Sequence, residues 1–436
     1  MSSDIVTLFT SARVAMIAKI FAIVAISATL VFGWNYYDVM WWIQWNRIIE
    51  EHGIAGLIKI YDLCSHPECK VPYPPLAVVL FVPVYSVVKA LPVGLRFILL
   101  KVFLVLIPGI IVYRMLRKTR GPDIALLWLI SIPFLQIVLA LQYDVIIALL
   151  VMLSTYMLLN NREGMGAIYL ALGSMVKHVV AILLPFHVVF LWICNGLRRA
   201  LRYLAAYLVV VALIALPFFV VAPKGFITNI ILFHSTRLPQ DLSLWAIPIY
   251  MLDNKEYYVA VSAISNLWII PFALCYLLVL ITFYRKLRIG RERVPQQLLY
   301  TASSLILLLF ILLNKIGNLN YLVWPIPMLY IALNRKHIKQ LFPLITIVSL
   351  GGAALYAFMF YIPPAATNKY TFVVEDYAYW SARALLLQSI NSYYILQLQD
   401  KLLPLFVGAA LTSDSFVIAT PTEIFAKSPI FIKMYL

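Results

Sequence analysis

Apolar runs near twenty residues recur along almost the whole chain, at 14–33, 95–113, 123–141, 145–160, 165–181, 182–195, 201–222, 262–284, 297–313, 320–333 and 340–360. In hydrocarbon each backbone amide needs an internal partner, so runs this long and unalternating predict membrane helices rather than barrel strands. The pattern predicts an all-α polytopic protein of about 11–12 transmembrane helices. Some runs are short, such as the pair within 165–195, and short spans thin the bilayer or line a cavity inside the protein. Between the first run and the others lies a polar, tryptophan-rich stretch, "WNYYDVMWWIQWNRIIEEHGIAGLIKIYDLCSHPECKVPYPP" at 34–75. From Trp41 to Ile60 it alternates apolar and charged residues at helical spacing, with Arg47, Glu50 and Glu51 on the wetter side. That predicts an amphipathic helix lying in the interface.

Composition removes the soluble classes. Of 436 residues, 64% are hydrophobic and 12% charged, whereas soluble domains average about 25% charged. No polar block is large enough for a second folded domain, so residues 1–436 are expected to form one membrane-embedded domain. The net charge of +16 invites a nucleic-acid reading, but the basic residues cluster in short loops: "RMLRKTRGP" at 114–122, "GLRRALR" at 196–202, "YRKLRIGRERVP" at 284–295 and "NRKHIK" at 334–339. The positive-inside rule places these four loops in the cytoplasm, and no nucleic-acid partner is expected. For one orientation to satisfy all four, the apolar piece at 75–92 has to be an interfacial or re-entrant helix on the outer side. Lys89 and Arg96 could instead mark a small inner loop there, a choice that flips every later cluster outward. With the preferred parity, Asp38, Glu50, Glu51, Asp62, Glu68, Asp144, His234, Arg237, Asp241, Lys315 and Asn320 all fall on the outer face.

Cys64 and Cys69 enclose "SHPE" in the outer loop. A disulfide and two free thiols are both open, and with His66 the pair makes a metal-ligand set lacking a fourth member. Residues 14–33 read as a retained signal anchor. There is no P-loop, dinucleotide fingerprint, H-E-x-x-H or internal repeat in the sequence.

Four blocks taken in order carry a resemblance: Asp38 just after the first helix; "YPPLA" at 73–77; "QYDVIIALLVMLSTYMLLNNREGMGAIYLALGSMVKHVVAILLP" at 142–185; and "FHSTRLPQDLSLW" at 233–245 with "NKIGNLNYLVWPIPML" at 314–329. Together they resemble the membrane glycosyltransferases of the C-type (GT-C) fold that use polyprenyl-phosphate sugars. The nearest likeness is to the polyprenyl- or dolichyl-phosphate-mannose-dependent mannosyltransferases and the GPI mannosyltransferase catalytic subunits. The likeness covers roughly residues 14–335 and does not extend to 361–436. It implies a polyprenyl/dolichyl-phosphate-sugar donor, a glycolipid or glycan acceptor, and a site on the non-cytoplasmic face of a prokaryotic cell membrane or the endoplasmic reticulum. A partner subunit is conceivable, with none indicated.

The GPI enzymes carry an Asp-x-Asp pair where this chain reads Asp38-Val39-Met40. A divalent cation prefers several oxygen ligands, so metal-independent chemistry without a cofactor is expected. Polyprenyl phosphate is a good leaving group, and one carboxylate suffices to deprotonate the acceptor hydroxyl; a single displacement inverts the anomeric carbon. Asp38 is the expected base. Its bland alternative is a polar residue capping the first helix.

His234 and Arg237 are the expected phosphate clamp, with Lys315 and Lys177 as deeper partners. Lys177 and His178 sit inside an apolar run, where an ionisable group signals a functional cavity or an internal pairing, for Lys177 with Asp144. Asp144 itself reads as a helix cap or a binding residue, and Tyr73 and Asn320 belong to the matching blocks as substrate-binding candidates. Trp34, Tyr36, Tyr37, Trp41, Trp42 and Trp45 are read mostly as interface anchors, with one or two lining a donor groove. Two other classes remain open on sequence: a catalytically silent subunit of a membrane complex, and a lipid or solute transporter.

Overall fold

The computed structural model describes residues 12–31, 36–64, 69–237, 239–241, 243–245, 260, 263–289 and 295–360. The chain opens with α1 (Ala12–Val31), α2 (Tyr36–Ile58), α3 (Ile60–Leu63) and α4 (Pro75–Val88). Next, α5 (Val93–Lys101) runs through a π-helical turn into α6 (Ile107–Arg120), followed by α7 (Pro122–Leu129), α8 (Ile132–Ala140), α9 (Asp144–Leu159) and α10 (Glu163–Val176). A 3₁₀ segment, His178–Leu183, leads into α11 (Leu184–Asn195), then α12 (Leu197–Val221), α13 (Pro223–Ile227) and, after a second π-helical turn at Thr228–Leu232, α14 (Phe233–Thr236). A two-residue strand β1 (Gln240–Asp241) precedes α15 (Ile269–Ile289), α16 (Pro295–Leu313), strand β2 (Ile316–Gly317), the 3₁₀ turn Leu319–Val323, α17 (Ile326–Ala332) and α18 (Arg335–Phe360).

Each apolar run forms helix, in keeping with the all-α polytopic fold expected. Among the described residues six helices are long and apolar enough to cross a membrane, or seven if α7 and α8, bent by 43°, make one broken span. The helices at 75–88, 144–159, 163–176 and 319–332 are shorter. Chain breaks explain this. Asn161 adopts a left-handed φ of 57° to close the α9–α10 hairpin, a conformation that Asn tolerates better than most residues. Lys177 is extended (φ −150°, ψ 111°) and ends α10. A 14-residue helix such as α10 rises about 21 Å, short of a roughly 30 Å hydrocarbon core.

The short helix α9 lies inside, and three of the long ones lie outside. Val145, Ile147, Ala148, Val151 and Met152 of α9 are fully buried, packed by α10, α6 and α17. By contrast α1, α12 and α15 keep most of their apolar surface exposed, as lipid-facing helices do. A helix wrapped in protein is not required to match the bilayer's thickness, because its ends are solvated by other parts of the chain.

The basic loops gather at one end. The Arg120 guanidinium donates to the Leu333 carbonyl, Arg335 pairs with Asp123, Gln297 Nε2 donates to the Ala332 carbonyl at 2.5 Å, and Arg199 pairs with Glu163 at 3.0 Å. From that end α9, α12, α15 and α16 each run to the other, where Asp144, Lys224, Asn266 and Lys315 lie next to their termini.

At this second end α2 packs on α4. Arg47, Glu50 and Glu51 are exposed, and Glu50 pairs with Lys89, as the amphipathic pattern required. The interface-anchor reading is corrected for three tryptophans: Trp41, Trp42 and Trp45 are buried. Trp42 stacks on Phe81 at 4.5 Å, and Trp45 Nε1 donates to the Lys70 carbonyl at 2.8 Å. Their bulk fills the α2–α4 interface, a larger burial of apolar area than a headgroup layer offers. The side chains of Trp34, Tyr36 and Tyr37, and residues 361–436, lie outside the described residues.

Candidate functional site

Two groups of polar side chains meet at the end of the bundle away from the basic loops. The first is centred on Asp144, at the first position of α9 and 0% exposed. Its Oδ1 accepts from Lys177 Nζ at 2.7 Å and Trp324 Nε1 at 2.8 Å. Its Oδ2 accepts from Asn320 Nδ2 at 2.5 Å, and Asn320 also reaches Gln142 Oε1 at 3.2 Å. The Lys177 ammonium lies 4.1 Å from the Tyr321 ring centre and 4.7 Å from that of Trp324. Charge, hydrogen bonds and aromatic faces together compensate a buried ion pair that desolvation alone would make costly. Of the readings open for Asp144 and Lys177, internal pairing is realised. Tyr73 joins this group through Tyr143, 5.5 Å between ring centres.

The second group is cationic. The strands β1 and β2 pair in parallel, Gln240 opposite Ile316 and Asp241 opposite Gly317, which brings the "FHSTR" and "NKIGN" blocks side by side. Lys315, 2% exposed, donates to the Ser235 carbonyl and Asn266 Oδ1, both at 2.6 Å. His234 Nε2 donates to the Pro72 carbonyl at 3.1 Å, and its ring faces His178 at 5.1 Å. The Arg237 guanidinium lies 5.6 Å from the Phe233 ring centre, with the Lys70 ammonium 5.2 Å from the same ring.

Burial pushes the Lys315 ammonium down to about 8, helped by the nearby Arg237 charge. Burial, then His178 and Arg237, hold His234 down to about 3 and so neutral at ordinary pH. Lys70 is lowered by burial and by Arg237. Among the described residues none of Lys70, Arg237 and Lys315 has a carboxylate partner. Cations that depress one another, with no carboxylate paired to them among the described residues, make an electropositive cluster.

Of the residues singled out from sequence, Asp144, Lys177 and Asn320 are in direct contact, His178 meets His234, and Arg237 acts electrostatically on His234 and Lys315. Asp38 lies in the first turn of α2 by backbone; its side chain, like that of Asp241, lies outside the described residues. Position 38 stands one turn before Trp42, on the helix whose Trp42 and Trp45 contact Phe81 and the Lys70 carbonyl. Sequence reasoning missed Lys70, Gln142, Asn266 and Trp324. Trp324 and Gln142 sit within blocks quoted for the resemblance, Lys70 directly follows Cys69, and Asn266 carries no local signal. Cys64 and Cys69 form a disulfide, so neither thiolate is available to the metal set considered with His66, which itself lies outside the described residues.

Long apolar helices, several of them facing lipid, together with short buried ones and a charged cluster at the end opposite the basic loops, define a multi-pass, all-α membrane protein. The model of glycosyltransferase family 87 matches residues 72–313, more than half of the chain, and the chain belongs to that family. It is a membrane glycosyltransferase. The matched range contains Tyr73, Asp144, Lys177, His178, His234 and Arg237, and leaves Asp38 and Lys70 before it and Lys315 and Asn320 after it. No curated protein matches the sequence.

Proposed function

We propose that this glycosyltransferase moves a hexose, with mannose the first candidate, from a polyprenyl- or dolichyl-phosphate donor to a glycolipid or glycan acceptor on the non-cytoplasmic face. The observation that carries the reading is the cluster of Lys70, Arg237 and Lys315, with no carboxylate partner among the described residues, beside neutral His234. The leaving phosphate gains charge as the glycosidic bond breaks, and cations already in place stabilise that charge without reorganising. The Asp144–Lys177 pair, boxed by Tyr321 and Trp324, fixes the wall of the site next to the cluster. Segregation of the basic loops at the opposite end supports the sidedness.

Asp38 is the proposed base. It stands one turn before Trp42 on α2, the helix whose Trp45 donates to the Lys70 carbonyl. Deprotonation of the acceptor hydroxyl and a single in-line displacement would proceed with inversion, and the proposed reaction needs no metal.

The test is transfer of radiolabelled mannose from polyprenyl-phosphate-mannose by purified protein in excess EDTA, wild type beside Asp38→Asn. Transfer that falls by about 10²–10⁴-fold in the variant supports the base. Equal transfer by both proteins removes Asp38 from the chemistry, and EDTA-sensitive transfer overturns the metal-independent step.

A further inference from the structure

Lys70 opens an extended segment that is tied down almost residue by residue. Its carbonyl accepts from Trp45 Nε1 at 2.8 Å, the Val71 amide donates to Asn229 Oδ1 at 3.3 Å, and the Pro72 carbonyl accepts from His234 Nε2 at 3.1 Å. Directly before it, the disulfide joins Cys69 to Cys64 at the end of α3. The same short helix is itself anchored. The Tyr61 carbonyl accepts from Asn229 Nδ2 at 3.1 Å, and Asp62 Oδ1 accepts from the Gly225 amide at 3.1 Å, so close that a Cβ at Gly225 would collide with the Tyr61 carbonyl and the Asp62 carboxylate.

Covalent and hydrogen-bonded constraints therefore converge on the backbone of a lysine whose ammonium shares the Phe233 ring with Arg237. A lysine in a solvated loop would swing its long stem away from a neighbouring guanidinium, since like charges repel and the open rotamers are free. Holding the two together, half-buried and without a carboxylate among the described residues, suits a ligand that brings negative charge.

We infer that Lys70 is a further binding residue for the donor's phosphate, acting beside Arg237 on Phe233, and that the Cys64–Cys69 disulfide sets its position. The inference rests on the reading of this cluster as the phosphate site. The donor's phosphodiester has two free oxygens, one for each cation, and the phosphomonoester released as the sugar leaves has three. With the disulfide reduced, residue 69 would be held to α3 only through its neighbours, and Lys70 would lose one side of its fixation.

The experiment measures binding of farnesyl phosphate to the purified full-length protein in detergent by calorimetry, with inorganic phosphate and farnesol reporting the anion and the tail separately. Lys70→Met is expected to weaken farnesyl phosphate about tenfold or more, the scale of a charge-assisted hydrogen bond, with farnesol unchanged and Lys70→Arg restoring most of the loss. Reduction of the wild type, or the Cys64→Ser/Cys69→Ser variant, is expected to cause a smaller loss that adds little to Lys70→Met, because both changes act on one contact. Lys70→Gln is the second variant should Lys70→Met fail to fold, judged by its unfolding midpoint. Wild-type affinity in a folded Lys70 variant overturns the role of Lys70 and leaves the phosphate site standing. Full additivity of the cysteine variant overturns the role of the disulfide. A wild type that binds neither farnesyl phosphate nor inorganic phosphate overturns this inference together with the reading on which it rests.

Discussion

Two lysines at the same end of the bundle are treated in opposite ways. Lys177 is neutralised: Asp144 lies at 2.7 Å and two aromatic faces close over the ammonium. Lys315 is hidden further from solvent, yet among the described residues its ammonium meets a carbonyl and an amide oxygen and no carboxylate, with Arg237 adding positive charge. A buried charge that is paired belongs to the architecture, whereas one kept unpaired among other cations stores an unmet demand for an anion. The contrast separates the framework of the site from its receptor, which residue type alone does not do.

Breaking the framework should have the largest effect on stability. Asp144→Ala leaves the Lys177 ammonium buried and uncompensated, a loss of about 3–5 kcal/mol, seen as a steep drop in the thermal unfolding midpoint in detergent. Adding Lys177→Met should recover much of that loss, and a double variant as unstable as the single one would show that Asp144 matters for something other than the pair.

Breaking the receptor should do the reverse. Arg237→Met is expected to weaken farnesyl phosphate binding by about ten- to a hundredfold while leaving the unfolding midpoint unchanged or slightly higher, because a repulsive neighbour of Lys70, His234 and Lys315 is removed. A large drop in stability would move Arg237 from the receptor to the framework.

A pH titration sharpens the same contrast. The Lys315 ammonium titrates at about 8 in the empty site, below its ordinary value because of burial and then Arg237. Anion binding requires the protonated form, so affinity for farnesyl phosphate is constant just below pH 8 and falls up to tenfold per unit as pH rises above it. The phosphate itself is already dianionic there, its second pKa being about 6. Lys315→Met should lower the affinity and abolish the step; a step that persists belongs to another group.

The smallest effect is expected at the opposite end of the bundle. Arg199 and Glu163 form an exposed pair at 3.0 Å, so Glu163→Gln should change stability by about 0–1 kcal/mol and leave phosphate binding untouched. A measurable change in binding would mean that the two ends are coupled.

Much of this was legible in the chain. Apolar runs marked the helices because burial of the backbone in hydrocarbon leaves few other solutions, and the clustering of arginine and lysine in four loops marked one end. The amphipathic spacing around Arg47 and Glu50 was legible for the same reason. Which helices are full length was not: Lys177 breaks the chain inside an apolar stretch, and only the neighbours that receive the broken ends make this tolerable. The tryptophans of α2 misled because an indole suits a headgroup layer and a packed core alike, and only the approach of α4 decides between them.

The sequence by itself determined the class, a helical membrane protein with its basic loops on one side, because hydrophobicity and charge act on each segment independently of the others. Tertiary structure alone decided which polar residues act together: Asp144 with Trp324, Lys315 with Asn266, and Lys70 with Arg237 on Phe233 are separated by 180, 49 and 167 positions and become neighbours only once the helices pack. Whether a buried cation is satisfied or left waiting for a ligand depends on the distance to the nearest opposite charge, a quantity that exists only in the folded chain.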